Sequence, residues 1–110
     1  MLSKRFRIPI QNYVGTNTPR PAKTIRGALF GVRIYRTTLP YARIGVVVSK
    51  SVDKRAVVRN HIRRTIIDAA QKQLATLPVA DYIIMANVAA GKTTKDELAV
   101  ATTKTLKSLL

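Results

Sequence analysis

The chain has 110 residues, 46% of them hydrophobic, and sets 20 lysines and arginines against five acids for a formal charge of +15. That size fits one domain with one core, the apolar content argues against disorder, and the charge calls for a polyanionic partner. With no cysteine, no apolar run long enough for a membrane span and no apolar leader at MLSKRFRIP, disulfide frameworks, thiolate metal sites and spanning segments are set aside, and a cytoplasmic protein is expected.

Residues 1–26 are basic and interrupted by Pro9, Pro19 and Pro21. Prolines so placed cannot share one regular helix, so this part is expected as an extended arm with at most a short turn around Ile10 to Val14. Lys4, Arg5, Arg7, Arg20, Lys23 and Arg26 give it electrostatic reach. The folded body is expected over 27–110, within a single domain.

Residues 27–36 alternate, with Ala28, Phe30, Val32 and Ile34 on one side and Leu29, Gly31, Arg33 and Tyr35 on the other, which is the pattern of a half-buried strand. A second strand is expected over Ala42 to Lys50, with Ile44, Val46 and Val48 inward. The short connection through Thr37 to Pro40 suggests that the two pair as an antiparallel hairpin. On the outward face Arg33, Tyr35 and Arg43 surround two glycines. That is either a shallow platform on which a nucleic-acid strand could lie with a base stacked on Tyr35, or an ordinary solvent face.

The segment Lys50 to Asp68, KSVDKRAVVRNHIRRTIID, combines two patterns. Stepped at about 100° per residue, Val58, Ile62, Thr65, Ile66 and Ala69 form an apolar stripe beside a polar one of Arg59, Asn60, Arg63 and Arg64. A helix is expected from about Asp53 or Lys54 to Leu77, with Asp53 as N-cap and Pro78 beyond the end. Lys50, Lys54, Arg55, Arg59, Arg63 and Arg64 outnumber every acid within reach, so most of them look outward. Guanidinium is always charged and grips phosphate bidentately, and Asn60 adds a neutral donor and acceptor.

Asp81 to Val88 is apolar enough for a central strand, and a last helix is expected from about Thr94 to Leu110, with Leu98, Ala101, Thr105 and Leu109 on its packed side. Asp96 and Glu97 begin this helix and Lys104 and Lys107 end it, as the helix dipole prefers. The order strand, strand, helix, strand, helix implies an α+β fold, a two-layer sandwich of a small mixed sheet with helices on one face.

Catalytic chemistry is sparse. Asp53, Asp68, Asp81, Asp96 and Glu97 are scattered over separate elements, and His61 is the only histidine. No catalytic residue, metal site, bound cofactor or small-molecule substrate is expected of the chain itself. Gly91-Lys92-Thr93 is like the end of a phosphate loop, but Ala86 stands where that motif needs glycine, so it reads as a loop with Lys92 a candidate phosphate contact.

The run SKSVDKRAVVRNHIRRTI resembles the signature of the bacterial ribonuclease P protein family, through Ser49, Lys50, Ala56, Val57, Arg59, Asn60, Arg63 and Arg64. Ala42-Arg43-Ile44-Gly45 and Asp81-Tyr82-Ile83-Ile84 resemble that family's strands, and the likeness runs from about Ala28 to Lys107. It implies a fold like the second domain of ribosomal protein S5 with a left-handed crossover. It also implies a subunit of an endoribonuclease whose RNA is the catalyst, requires Mg²⁺ and removes the 5′ leader of precursor tRNA. By the same resemblance, Lys50, Lys54, Arg55, Arg59, Asn60, Arg63 and Arg64 would contact the ribonuclease P RNA, and Arg33, Tyr35 and Arg43 the leader. Two positions depart from the family pattern: the first helix is broken by proline, and Asn87 stands where an arginine is usual. The alternative reading is a structural RNA-binding module such as a ribosomal protein, and no membrane partner is expected under either.

Overall fold

The computed structural model describes residues 4–9 and 20–109. Among these, four strands form, β1 Lys23–Arg26, β2 Phe30–Tyr35, β3 Arg43–Val47 and β4 Asp81–Ala86, with helix α1 Ala56–Gln71 between β3 and β4 and helix α2 Lys95–Lys107 after β4. They make one mixed sheet in the order β1-β2-β4-β3, antiparallel at β1/β2 and β2/β4 and parallel at β3/β4.

The expected hairpin of β2 with β3 does not form, because β4 lies between them. The first four residues of β4 are all buried, so the central position covers a strand that is apolar on both faces. β2 and β3 still run antiparallel to each other, and residues 36–42 cross the ~10 Å of two strand spacings. The return to β4 is made through α1, as a parallel pair requires.

On the inner face Phe30, Val32, Ile44, Val46, Tyr82 and Ile84 meet Ile62, Ile66 and Ala70 of α1 and Leu98 and Leu106 of α2. The buried side of α1 follows the expected stripe. Thr65 belongs in it because its Oγ1 donates to the His61 carbonyl (2.9 Å). In α2 the buried line runs through Leu98, Thr102 and Leu106, one residue on from the expected Ala101 and Thr105, which are half-buried. Thr94 caps α2 by accepting from the Glu97 N–H (3.1 Å).

The part expected as an arm is joined to the sheet at two places. Lys23–Arg26 is a strand in its own right, too short and polar to show alternation, and its charges occupy a sheet edge. Arg7 bridges to Ile44 beside the opposite edge strand, with the Ile8 N–H donating to the Ile44 carbonyl (3.2 Å). Ile8 thereby folds onto the outer face against Tyr35 and Ile83, while Phe6 packs on the main core. The turn expected at Ile10 to Val14 lies outside the described residues.

A 3-10 turn, Val88–Lys92, leads out of β4 and is anchored at both ends. Asn87 accepts from the Ala89 N–H (3.0 Å) and donates to the Ala28 carbonyl (2.9 Å), tying the end of β4 to the β1–β2 turn. Gly91 passes so close to the loop before α1 that a β-carbon there would lie 2.6 Å from the Val52 carbonyl oxygen. Gly91→Ala is therefore expected to cost about 2 kcal/mol and to lower Tm by roughly 10 °C in a thermal unfolding scan. An unchanged Tm would contradict this close approach.

Candidate nucleic-acid interface

The basic stretch divides into residues that shape the start of α1 and residues that look outward. The N-cap position is Arg55, not Asp53. Asp53 acts from two residues earlier, accepting from the Arg55 N–H (2.8 Å) and from its guanidinium Nε and Nη2 (3.1 Å each). These hydrogen bonds from Arg55 hold the Asp53 carboxyl below the usual carboxylate range.

Arg59 reaches back with Nη1 to the carbonyls of Asp53 (3.1 Å) and Lys54 (2.8 Å), cross-bracing the same turn. Its Nε and Nη2 donors stay open to a ligand. Arg63 donates to Asn60 Oδ1, which fixes both side chains one helical turn apart. The side chains of Lys50, Lys54 and Arg64 are exposed and make no hydrogen bond or ion pair among the described residues. Val57, 74% exposed, lies among these polar groups and offers an apolar contact.

This stretch is thus a braced cationic surface, with Asp53, Arg55 and Arg59 holding its shape and Lys50, Lys54 and Arg64 presenting free charge. Arg59→Ala is expected to leave two carbonyls of the turn without their donor, lowering stability by about 1 kcal/mol and weakening RNA binding more than Lys54→Ala does. Thermal unfolding read beside an RNA titration would check both; equal affinity of the two variants would reduce Arg59 to one charge among several.

The sheet's outer face differs from the expected platform. Tyr35, Asp81 and Arg43 lie in one row across β2, β4 and β3. Arg43 grips Asp81 bidentately, Nε to Oδ1 at 2.9 Å and Nη2 to Oδ2 at 2.6 Å. Tyr35 is 3% exposed, packed with Ile8 and Ile83. Neither side chain is therefore presented as expected: Tyr35 has no open ring face for a base, and Arg43 is engaged by a carboxylate.

Arg33 is exposed, and in register with it stands Thr24 of β1, with Arg26 opposite Gly31. The cationic part of this face is therefore Arg33 with Arg26. Arg26 was not singled out for this face because the four residues of β1 carry too little periodicity to reveal a strand. The Arg43–Asp81 pairing depends on a parallel register that no local pattern shows.

His61 is exposed on α1 next to Asn60, and Lys92 ends the 3-10 turn, exposed as well. No helix among the described residues is long and apolar enough to cross a membrane.

Comparison with known proteins gives a consistent result. The family model described as Ribonuclease P matches residues 16–110. The ribonuclease P protein component of Xanthomonas euvesicatoria is 40% identical over 73 residues, 66% of this chain and 50% of that protein. That of Xylella fastidiosa is 30% identical over 107 residues, 97% of this chain and 76% of that protein. The chain spans about half the length of the Xanthomonas relatives it matches.

Among solved structures, an RNase P protein from Staphylococcus aureus superposes with a TM-score of 0.71 at 22% identity, covering 78% of each chain. The RNase P protein from Thermotoga maritima does so with 0.69 at 17% identity, covering 80% of this chain and 84% of that one. These two likenesses concern the fold, and they share its mixed sheet and helices. With a family match that takes in both helices, all four strands and the braced basic turn, the chain belongs to the ribonuclease P protein family.

Proposed function

We propose that the chain is the protein subunit of a ribonuclease P ribonucleoprotein, acting in the cytoplasm in the endonucleolytic removal of the 5′ leader from precursor tRNA. The observation that carries this reading is the start of α1, where a hydrogen-bonded turn holds free cations in a fixed array at the family's signature residues. Membership in the family supplies the partner, ribonuclease P RNA.

Lys50, Lys54 and Arg64 neutralise phosphates of that RNA, with the free edge of Arg59 and the charge of Arg55 beside them. The Arg63–Asn60 pair sets a register along one helix face. Arg33 and Arg26 on the outer face guide the leader's backbone. Tyr35 and Arg43 support that face from beneath, since one is buried and the other is held by Asp81. The RNA performs the chemistry with its own Mg²⁺. The chain contributes charge neutralisation, which lowers the Mg²⁺ needed, and adds substrate affinity through the leader. On its own it is inactive.

The test is equilibrium binding to a bacterial ribonuclease P RNA transcript against a ribosomal RNA fragment of equal length at the same salt. A preference of roughly tenfold or more for the former is expected. Equal affinity for both would point instead to a general structural RNA-binding module.

A further inference from the structure

Between α1 and α2, on the side of the helices away from the sheet, runs an open groove of about 620 Å³ that the proposed interface does not use. Lys72 at the C-cap of α1 and Lys95, Lys104 and Lys107 on α2 line it, over a floor that includes Ala69 and Ala99. Among the described residues none of these lysine side chains makes a hydrogen bond or ion pair, and the one carboxylate in the groove, Asp68, pairs with none of them. Four uncompensated cations have thus been brought together by the packing of two helices distant in sequence.

The groove is continuous with the basic start of α1. Thr65 and Lys95 also line an adjoining depression that takes in His61, and Arg64 precedes the lining residue Asp68 by one helical turn. From His61 to Lys72 the helix rises about 16 Å, so the cations extend the signature surface along the helical layer.

The lining indicates the occupant. Lysine is depleted from the cores of protein interfaces, and the groove holds no aromatic or arginine anchor of the kind that dominates them. Its exposed apolar side chain is Val100, and the lining holds no Trp, Phe or Leu of the kind that enters a lipid surface. Alanines in the floor allow a backbone to come close, lysines act as point charges for phosphate, and the Thr103 hydroxyl suits a ribose 2′-OH.

We infer that the α1–α2 groove is a second RNA-binding surface, which seats a sugar-phosphate backbone of the partner RNA in a segment separate from the one on the signature residues. This rests on the reading of the chain as an RNA-binding subunit. It adds a second contact on the helical layer, with the sheet's outer face on the opposite side of the molecule.

The chain has no cysteine, so single cysteines can carry an iron chelate that cuts nearby RNA by hydroxyl radicals. Val57→Cys places the probe at the signature surface and Val100→Cys in the groove, both at exposed positions. On a bacterial ribonuclease P RNA transcript both are expected to cut, at different places, and the Val100→Cys cuts should vanish when K72A/K104A/K107A is added. That triple variant, built on exposed positions within or just after a helix where alanine is well tolerated, should keep its circular dichroism and lose about two units of salt slope in RNA affinity.

Cutting from Val57→Cys alone, or a salt slope unchanged in the triple variant, would overturn the inference while leaving the subunit reading intact. So would self-association in sedimentation that the triple variant abolishes, since the groove would then belong to a second copy. Absence of wild-type binding to this RNA, with no cutting from either position, would defeat the subunit reading itself.

Discussion

Replacing Lys50, Lys54 and Arg64 together by alanine is expected to weaken binding to ribonuclease P RNA by about two orders of magnitude and to reduce the slope of log affinity against log salt by about two to three. The size follows from three free cations, each releasing roughly one counterion when it meets a phosphate. The fold should be indifferent to the change, because these side chains are exposed and make no hydrogen bond or ion pair among the described residues. Thermal unfolding within a degree or two of wild type, with binding lost, would locate the effect in the interface. If affinity at low salt stayed within twofold, this face of α1 would not be where the RNA binds.

Arg43→Ala should act in the opposite way, on stability before function. Its partner Asp81 has a side chain only 1% exposed, so removing the guanidinium takes a two-point hydrogen-bonded counter-charge from a buried carboxylate at the row where three strands meet. Removing one member of a buried pair costs up to about 3–5 kcal/mol, a large share of the 5–15 kcal/mol that holds a domain of this kind together. Arg43→Lys should recover only part, because an ammonium cannot reproduce the two-point grip on Oδ1 and Oδ2. Below its own melting temperature Arg43→Ala should bind RNA nearly as the wild type does. A stable Arg43→Ala protein with poor RNA binding would instead make Arg43 a contact residue.

These two variants show which features were legible in the sequence. α1 announced itself by stating one stripe of apolar residues and one of polar residues over several turns, and its buried side is the one the periodicity implied. The basic surface followed from an excess of cations that five acids cannot absorb. Local pattern could not, however, tell which arginines look outward. Arg59 and Arg64 are alike in the sequence, yet one braces the turn at Asp53 and Lys54 and the other is free.

Long-range pairing was the other hidden part. Arg43 and Asp81 stand 38 positions apart and meet only because β3 and β4 are parallel neighbours. The same insertion of β4 undid the expected hairpin, and the folding of Ile8 over the outer face covered Tyr35, which alternation alone would have left open. The signature residues of the family were readable as a run. The support beneath them, from Gly91 against Val52 to Asn87 across two turns, is made of contacts between segments that carry no shared motif.

The most direct measurement is cleavage of a precursor tRNA with a 5′ leader by bacterial ribonuclease P RNA at limiting Mg²⁺, with the chain added, omitted, or supplied without the RNA. Cleavage at the mature 5′ end is expected to rise sharply when RNA and chain are together, with none from the chain alone. Tight binding of the RNA with no gain in cleavage would contradict it, as would leader removal by the chain without RNA.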